Sequence, residues 1–333
     1  MGRTRRNTLT LGLSALAFST VFTALARSSR PSSRLQLLPQ LAKYDVLGWL
    51  GSDALLVIPD GSPDRATDAA IFRLQTHAFH PLPPLPELPP FTASEPVPSP
   101  DGNWVLYKES EGGGPENATP YATRWRLMRV DGSETRMFPS DGSFRPTPDE
   151  IGYPLPYAYW LPDSSGWISV TDTDRAHHQQ LERFRLDALD GAPERLLFSG
   201  SNINHLNLED ITPDGRLVFT NYAEYTLRLC APVSGSVPTP PFRLTPPFDG
   251  LSQFTSDGNA ALALVEVHTT GLSAWFANLI HRPVDTVDLR RIPFNGAPPT
   301  TIAANLPITT HFNTSPDQKH VLIRADQLYV VPL

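Results

Sequence analysis

The chain has 333 residues, of which 27 are Lys or Arg and 34 are Asp or Glu, so its formal net charge at pH 7 is −7. With three lysines and this acidic balance it lacks the basic face that neutralises phosphates, which argues against nucleic-acid binding. A single cysteine, Cys230, excludes an internal disulfide, and 40% hydrophobic residues suffice for a sizeable core in one large all-β domain or two smaller ones.

The first 26 residues have the pattern of an export signal. Arg3, Arg5 and Arg6 precede an uncharged, largely apolar stretch that ends in the small-x-small pattern of Ala24 and Ala26. This pattern predicts cleavage after Ala26. An uncleaved membrane anchor is the alternative, because the stretch is close to the ~18–20 residues that span a bilayer. Both interpretations predict an exported protein, periplasmic or extracellular, that meets the membrane only through residues 9–26 if they are retained.

A short phrase recurs along the rest of the chain, each time before an apolar run. It reads SPDGN at 99–103, TPDGR at 212–216 and SPDQK at 315–319, with looser versions starting at 51, 161 and 255. The aspartates and glycines of these phrases are Asp53, Asp101, Gly102, Asp163, Asp214, Gly215, Asp257, Gly258 and Asp317. Pro presets φ, Asp bonds its own backbone and Gly adopts the left-handed conformation, so each phrase predicts a tight turn between two strands.

The spacing of these turns predicts the architecture. The aspartates lie 43 to 62 residues apart, and several units continue with a second Asp-Gly turn between strands, as in residues 181–198. Six units of four antiparallel strands, without a long helical period, predict an all-β, six-bladed β-propeller over residues 44–333. A pair of β-sandwiches is the structural alternative, but it gives no reason for a periodic turn.

The last unit predicts how the ring closes. Residues 326–333 form the third strand of the final blade, and nothing after them supplies a fourth. Leu35–Leu38, within a linker of residues 27–43, is an apolar segment that suits this place. We therefore expect an N-terminal strand that pairs beside residues 327–331 and removes the open edge.

The repeated phrases at 99–102, 212–215 and 315–317 resemble the propeller repeats of TolB-type periplasmic proteins and of the propeller domains of prolyl oligopeptidase-type peptidases. The resemblance covers about residues 44–333. It implies a six-bladed propeller and, on the TolB side, an interaction scaffold of the cell envelope. The sequence departs from TolB in having only some 20 residues between Ala26 and the first repeat, and from the peptidases in having no Gly-x-Ser-x-Gly elbow.

Candidate binding residues fall in the connections on the rim opposite the turns, where propeller ligands commonly dock. The richest segment contains Asp172, Asp174, His177 and His178, which suit a divalent ion such as Zn²⁺ and equally suit a solvated loop. Histidines from different units that could converge on the channel are His205, His268, His281 and His311. Aromatic and acidic residues that suit a sugar or a peptide are Tyr153, Tyr157, Tyr159, Trp160, Tyr222, Glu224 and Tyr225.

Two function classes follow from these observations. We favour an exported, non-catalytic propeller that binds a protein, a glycan or an envelope component, because the sequence contains no nucleophile elbow or nucleotide loop. The alternative is a propeller enzyme, a metal-assisted hydrolase or lyase with its site at the channel mouth, because groups from several blades can converge there without a local motif. No catalytic residue is assigned and no cofactor is predicted; a divalent metal remains an open option.

Overall fold

The fold is a ring of six small antiparallel sheets, which confirms the predicted six-bladed all-β propeller. The computed structural model describes residues 36–62, 64, 66–85, 91–93, 96–111, 123–139, 157–172, 179–188, 191–198, 207–221, 226–239, 242–243, 253–255, 259–268, 285–293 and 296–333. Within these residues, no helix is long and apolar enough to cross a lipid bilayer.

The chain enters the ring through β1 (Gln36–Leu37) and a 3-10 helix (Pro39–Leu41). Blade one contains β2 (Tyr44–Leu50), β3 (Ala54–Pro59), β4 (Ala70–Arg73) and β5 (Phe79–Pro81). Blade two contains β6 (Phe91–Ala93), β7 (Val97–Pro98), β8 (Trp104–Glu111), β9 (Thr123–Arg129) and β10 (Thr135–Pro139), with β6 and β7 both paired to β8. Blade three contains β11 (Tyr157–Trp160), β12 (Gly166–Asp172), β13 (Gln179–Arg185) and β14 (Glu194–Leu196).

The second half of the ring repeats this order of strands. Blade four contains β15 (Asn207–Ile211), β16 (Leu217–Asn221), β17 (Thr226–Cys230) and β18 (Phe242–Arg243). Blade five contains β19 (Gln253–Phe254), β20 (Ala260–His268), β21 (Asp285–Pro293) and β22 (Thr300–Leu306). Blade six contains β23 (His311–Thr314), β24 (His320–Arg324) and β25 (Leu328–Pro332).

The closing strand of the ring comes from the N-terminal side, as the sequence predicts. β1 pairs antiparallel with β25, with Gln36 opposite Val330 and Leu37 opposite Tyr329. The pairing continues one residue further, where the N–H of Leu38 donates to the carbonyl of Leu328 at 2.9 Å. Blade six is thereby a four-stranded sheet in which β1 is the outermost strand and covers the edge of β25.

The repeated phrase forms a tight turn between the first and second strands of a blade. In blade two the N–H of Gly102 donates to the carbonyl of Ser99 at 3.1 Å, and the Ser99 hydroxyl donates to the Asp101 carboxylate at 2.6 Å. Gly102 has φ +75°, a left-handed conformation that glycine adopts without a Cβ clash. The N–H of Trp104 also donates to the Ser99 hydroxyl at 2.9 Å, so one serine ties both ends of the turn.

The hydrophobic core lies between neighbouring blades. Strands covered on both faces are apolar on both, as in Ala54–Ile58, where every side chain is buried. The cluster between blades two and three is aromatic, with Trp167 and Phe184 stacked at 4.8 Å between ring centroids. The cluster between blades six and one contains Leu38 and Trp49, so the closing segment contributes to the core as well as to the sheet.

A buried ionic cluster lies on the face of blade two that points to blade one. Glu109 is 3% exposed and pairs with Arg126, which is 1% exposed. Arg124 donates to the other oxygen of the same carboxylate at 2.6 Å. Each ion would be costly to bury alone, so the stability of this cluster depends on all partners being present.

Candidate functional site

A cavity of about 360 Å³ occupies the central channel at the rim that carries the repeated turns. Its lining comes from all six blades, mainly from the last residues of each innermost strand: Leu47, Gly48 and Trp49; Val97 and Pro98; Ala158, Tyr159 and Trp160; Asp210; Gln253; Asn313 and Thr314. Pro100 and Pro316, which begin two of the turns, complete it. Its volume lies within the range of roughly 300–1,000 Å³ that is usual for small-molecule and side-chain pockets.

The aromatic lining residues are held by hydrogen bonds to the backbone of a neighbouring blade. The indole N–H of Trp49 donates to the carbonyl of Asn313 at 3.2 Å, and that of Trp160 donates to the carbonyl of Val97 at 3.1 Å. The Tyr159 hydroxyl donates to the carbonyl of Leu208 at 3.1 Å. These bonds engage the polar ends of the rings, so what the rings contribute to the cavity is fixed aromatic surface.

Two amide side chains join blades five and six at the cavity. The Gln253 side-chain oxygen accepts the N–H of Thr314 at 2.6 Å, and its amide nitrogen donates to the Asn313 side-chain oxygen at 3.4 Å. Asn313 is exposed while its neighbours Phe312 and Thr314 are half-buried. The Asn313 side chain is therefore the part of this pair that is open to solvent.

Asp210 supplies the ionisable side chain of the lining. It lies on β15, where the register with β16 shifts between Leu208 and Asp210. Its carboxylate accepts the N–H of Ile211 at 2.7 Å, and the residue is half-buried. Among the cavity-lining residues described, Asp210 alone has a carboxylate or basic side chain.

The turn rim around the cavity is also acidic. Burial raises the pKa of the Asp101 carboxyl, but hydrogen bonds from the Ser99 hydroxyl and the Asn103 N–H outweigh burial and leave the pKa below its usual value. The same competition, with Ser315 and Lys319 as donors, lowers the pKa of Asp317. The N–H of Ser165 is the main cause of the lowered pKa of Asp163. These carboxylates are ionised at neutral pH, and Asp101 and Asp317 directly follow Pro100 and Pro316, which line the cavity.

The predicted turn residues that the structure describes lie between the innermost strand of each blade and the strand that follows it. Turns are described around Asp53, Asp101, Gly102, Asp163, Asp214, Gly215 and Asp317, whereas Asp257 and Gly258 fall outside the described residues. Gly51 and Gly102 come so close that a Cβ on Gly102 would lie 3.2 Å from the Gly51 backbone. The turns of blades one and two therefore contact each other directly.

Of the predicted binding residues whose side chains the structure describes, Tyr159 and Trp160 line this cavity and His311 does not. His311 begins β23 and is exposed, and it does not line the cavity. Asp172 ends β12 and His268 ends β20, with only their backbones described. Predictions that fall outside the described residues concern Ala24, Ala26, Tyr153, Asp174, His177, His178, His205, Tyr222, Glu224, Tyr225 and His281. Their roles in export, binding or metal coordination stay predictions.

Sequence reasoning singled out Tyr159 and Trp160, and it placed Pro100 and Pro316 in the turn phrases, but it missed the other cavity residues. Trp49, Asp210, Gln253 and Asn313 belong to four different blades, and no local motif connects them. One signal was available: each stands four residues before the aspartate of its repeat. In the described part of the chain, no three His, Cys, Asp or Glu side chains are grouped to hold a metal.

No protein-family model and no curated protein matches the sequence. The chain is similar in structure to a putative TolB from Agrobacterium tumefaciens, at 14% identity and a TM-score of 0.44, covering 87% of this chain and 90% of that one. An oligogalacturonate lyase in complex with manganese has 14% identity and a TM-score of 0.49, covering 86% and 76%. A puromycin hydrolase has 13% identity and a TM-score of 0.47, covering 85% of this chain and only 41% of that one.

Proposed function

We propose that this protein is an exported, non-catalytic binding propeller of the TolB-like kind, and that part of its protein or envelope partner enters the channel cavity at the turn rim. The observation that carries the proposal is the construction of the cavity. All six blades contribute to it, and hydrogen bonds between blades hold its aromatic residues in place. A binding site whose lining is held in this way needs little reorganisation when a ligand enters.

The ionisable groups of the cavity support binding over catalysis. Acid–base catalysis generally uses a donor and an acceptor that act on the same substrate. Of the lining residues described, Asp210 is the one acidic or basic side chain. A described lining with one carboxylate and no second acid–base group suits recognition better than proton transfer.

The test is capture of a partner that depends on the cavity. A tagged full chain is purified from its own cells beside two variants, Asn313→Trp and Ile308→Trp. Asn313 is exposed at the cavity and its main-chain carbonyl holds Trp49, so a larger side chain fills the cavity without removing that acceptor. Ile308 is 55% exposed and does not line the cavity, so it serves as the matched control.

We expect a stoichiometric partner to co-purify with the parent and with Ile308→Trp, and to be lost from Asn313→Trp. A partner that is retained equally by all three chains would overturn the proposed site. A parent chain that carries no partner and turns over a substrate at the cavity would overturn the non-catalytic function.

A further inference from the structure

We infer that the group entering the cavity presents the neutral carbonyl oxygen of an amide, and that the side-chain amide of Asn313 donates a hydrogen bond to this oxygen. The inference rests on the proposed function, because it names the chemistry that the same site recognises. Its support comes from the orientation of two neighbouring amide side chains, from the bonds that the other polar groups of the lining already make, and from the apolar remainder of the lining.

A backbone N–H fixes the orientation of the first amide. The Thr314 N–H can only donate, and it lies 2.6 Å from the side-chain oxygen of Gln253, which accepts it. The amide nitrogen of Gln253 is therefore at the other end of the group and can act only as a donor. Gln253 is half-buried and lies on β19, whose pairing with β20 holds its backbone in place.

The orientation of the first amide fixes that of the second. The Gln253 amide nitrogen donates to the Asn313 side-chain oxygen at 3.4 Å, so this oxygen faces Gln253 and the Asn313 amide nitrogen is the other end of its group. The three groups form a directional chain from the Thr314 N–H through Gln253 to Asn313. Hydrogen bonds in such a chain polarise one another, which makes the N–H groups at its end better donors.

The donor at the end of this chain is available to a ligand. Within the described part of the chain, the bonds of the Asn313 side chain engage its oxygen and not its amide nitrogen. The main-chain carbonyl of the same residue is already engaged by the Trp49 indole. Asn313 is exposed and lines the cavity, so its amide nitrogen offers two N–H groups there. Such a group binds a hydrogen-bond acceptor.

The ring donors of the lining are already bonded. The indole N–H groups of Trp49 and Trp160 and the hydroxyl of Tyr159 all donate to main-chain carbonyls of neighbouring blades. The remaining side-chain N–H and hydroxyl groups of the described lining belong to Gln253, Asn313 and Thr314, on blades five and six. The donors available to a ligand are therefore grouped on one side of the cavity, which suits a ligand with one compact acceptor.

The rest of the lining favours a neutral carbonyl over a carboxylate or a sugar. The described lining contains no Lys, Arg or His, so an anion would lose water without gaining a partner of opposite charge. Residues whose side chains have no polar atom are Leu47, Val97, Pro98, Pro100, Ala158 and Pro316. The several hydroxyls of a sugar would find few side-chain partners there, and an unmade hydrogen bond is costly.

The size of the cavity limits what can enter. A volume of about 360 Å³ suits a small amide or one segment of an extended peptide rather than a folded element. Two sources share this chemistry: a main-chain or side-chain amide of a partner protein, and a free small amide.

The experiment compares an amide with its thioamide by ligand-observed NMR titration on the full chain. The probes are N-butylacetamide and N-butylthioacetamide, which have nearly the same shape. The thioamide sulfur is a poorer acceptor than the amide oxygen, and the thioamide N–H is a stronger donor. A site that donates to the carbonyl should therefore bind the amide about fivefold more tightly than the thioamide.

Three results of this titration overturn the inference. The first is binding of the thioamide that equals or exceeds binding of the amide. The second is no binding of either probe. The third is tighter binding of hexanoate, a carboxylate, or of a methyl glucoside, a sugar, than of N-butylacetamide.

Two cavity variants assign the preference to the chain of amides. Asn313→Asp keeps an oxygen toward Gln253 and replaces the donor with a second oxygen, so binding of N-butylacetamide should fall about tenfold. Gln253→Glu still accepts the Thr314 N–H but turns a second oxygen toward Asn313, whose amide nitrogen should then rotate to meet it. The Asn313 oxygen is then the atom left for the ligand, so the preference for the amide should be lost or reversed in favour of the thioamide.

The matched control for these variants is Gln327→Glu. Gln327 is exposed and does not line the cavity, so this variant should keep the preference of the parent. The two cavity variants change different residues, so the inference stays testable if one of them does not fold. An unchanged preference for the amide in both cavity variants contradicts it.

A blocked tri-alanine peptide distinguishes the two sources of the carbonyl. If it binds much more tightly than N-butylacetamide, the carbonyl belongs to a partner protein; comparable binding indicates a free small amide. If a partner is captured through the cavity while the amide and the thioamide bind equally, the carbonyl inference fails and the proposed function stands. If the preference for the amide depends on Asn313 but no partner is captured through the cavity, the proposed function fails and the carbonyl inference stands.

Discussion

Leu38→Ala tests whether the N-terminal segment holds the ring closed by packing as well as by strand pairing. The Leu38 side chain is 1% exposed, in a cluster that joins Leu328 and Val330 of blade six to Trp49 and Leu55 of blade one. Truncation to alanine removes apolar contact on both sides of the closure and leaves a cavity. Its main-chain bond to Leu328 is unaffected, so the variant isolates the side chain.

The adjacent residue provides the control for this variant. Leu37 is 43% exposed, and its backbone pairs with Tyr329. A buried Leu→Ala change costs about 2–5 kcal/mol, and we expect about 3 kcal/mol for Leu38→Ala because the short segment next to the edge strand β1 can partly relax into the space. Leu37→Ala should cost less than about 1 kcal/mol, because nearly half of its side chain already faces water.

Equilibrium urea unfolding followed by tryptophan fluorescence measures both variants. The buried Trp49 lies in the same cluster as Leu38, so its fluorescence changes when this cluster unfolds. Leu38→Ala should lower the urea midpoint clearly while leaving the m value unchanged, and Leu37→Ala should lower it only slightly. Equal midpoints for Leu37→Ala and Leu38→Ala would refute the view that closure depends on this buried side chain.

Three further predictions concern the turns and the buried ions. Gly102→Ala should lower the melting temperature more than Gly215→Ala, because both residues have positive φ but, of the two, an added Cβ is crowded at Gly102. Equal decreases in melting temperature would mean that the contact with Gly51 does not affect stability. Arg126→Met should lower the free energy of urea unfolding by about 3–5 kcal/mol, because buried Glu109 loses a partner. Arg185→Ala, from an exposed pair with Asp187, should lower it by less than about 1 kcal/mol. Similar losses in the two variants would contradict the burial argument. The turn aspartates have folded-state pKa values below their unfolded value near 3.8, so their stabilisation is present above about pH 4 and is lost as the pH falls through the folded pKa. When the pH is lowered below about 4, the urea midpoint of the parent should therefore decrease, and that of the Asp101→Asn, Asp317→Asn double variant should decrease less steeply. The same dependence of the midpoint on pH in both chains would count against this assignment.

The architecture could be predicted because its determinants are local and repeated. The turn at Asp101 and Gly102 depends on residues within a few positions of each other, and the same residues return at Asp214 and Gly215. The number of phrases then gave the number of blades. An apolar segment near the N-terminus and a missing last strand gave the closure, which the pairing of Leu37 with Tyr329 confirms.

The chemistry of the turn was only partly predicted. The sequence interpretation credited proline, aspartate and glycine, but the first residue of the phrase contributes as much. The side chains of Ser99, Thr212 and Ser315 belong to residues with 0% exposure, and each hydroxyl accepts a backbone N–H from the start of the next strand. In the last phrase Gln318 takes the left-handed position at φ +57° without glycine, so the hydroxyl and the aspartate are the shared features.

The cavity could not be predicted from the sequence because closure of the ring creates it. Trp49 and Asn313 are 264 positions apart, yet an indole N–H of one bonds the carbonyl of the other. The burial of Glu109 and Arg126 could not be predicted either. Polar and apolar residues alternate along their strands, which normally indicates that the polar face is exposed, but both faces of a propeller blade are covered. The candidate binding residues predicted from the sequence for the opposite rim include His177 and His178, which lie outside the described residues.

The most direct test of the account compares the two rims in one capture experiment. Three chains are each purified with whatever partner they retain: the full chain, Asn313→Trp at the turn-rim cavity, and a His177→Ala, His178→Ala double variant in a connection that the sequence predicts for the opposite rim. The account predicts that Asn313→Trp loses the partner and that the double variant keeps it. Loss of the partner from the double variant, with capture intact in Asn313→Trp, would contradict the assignment of the binding site to the channel cavity.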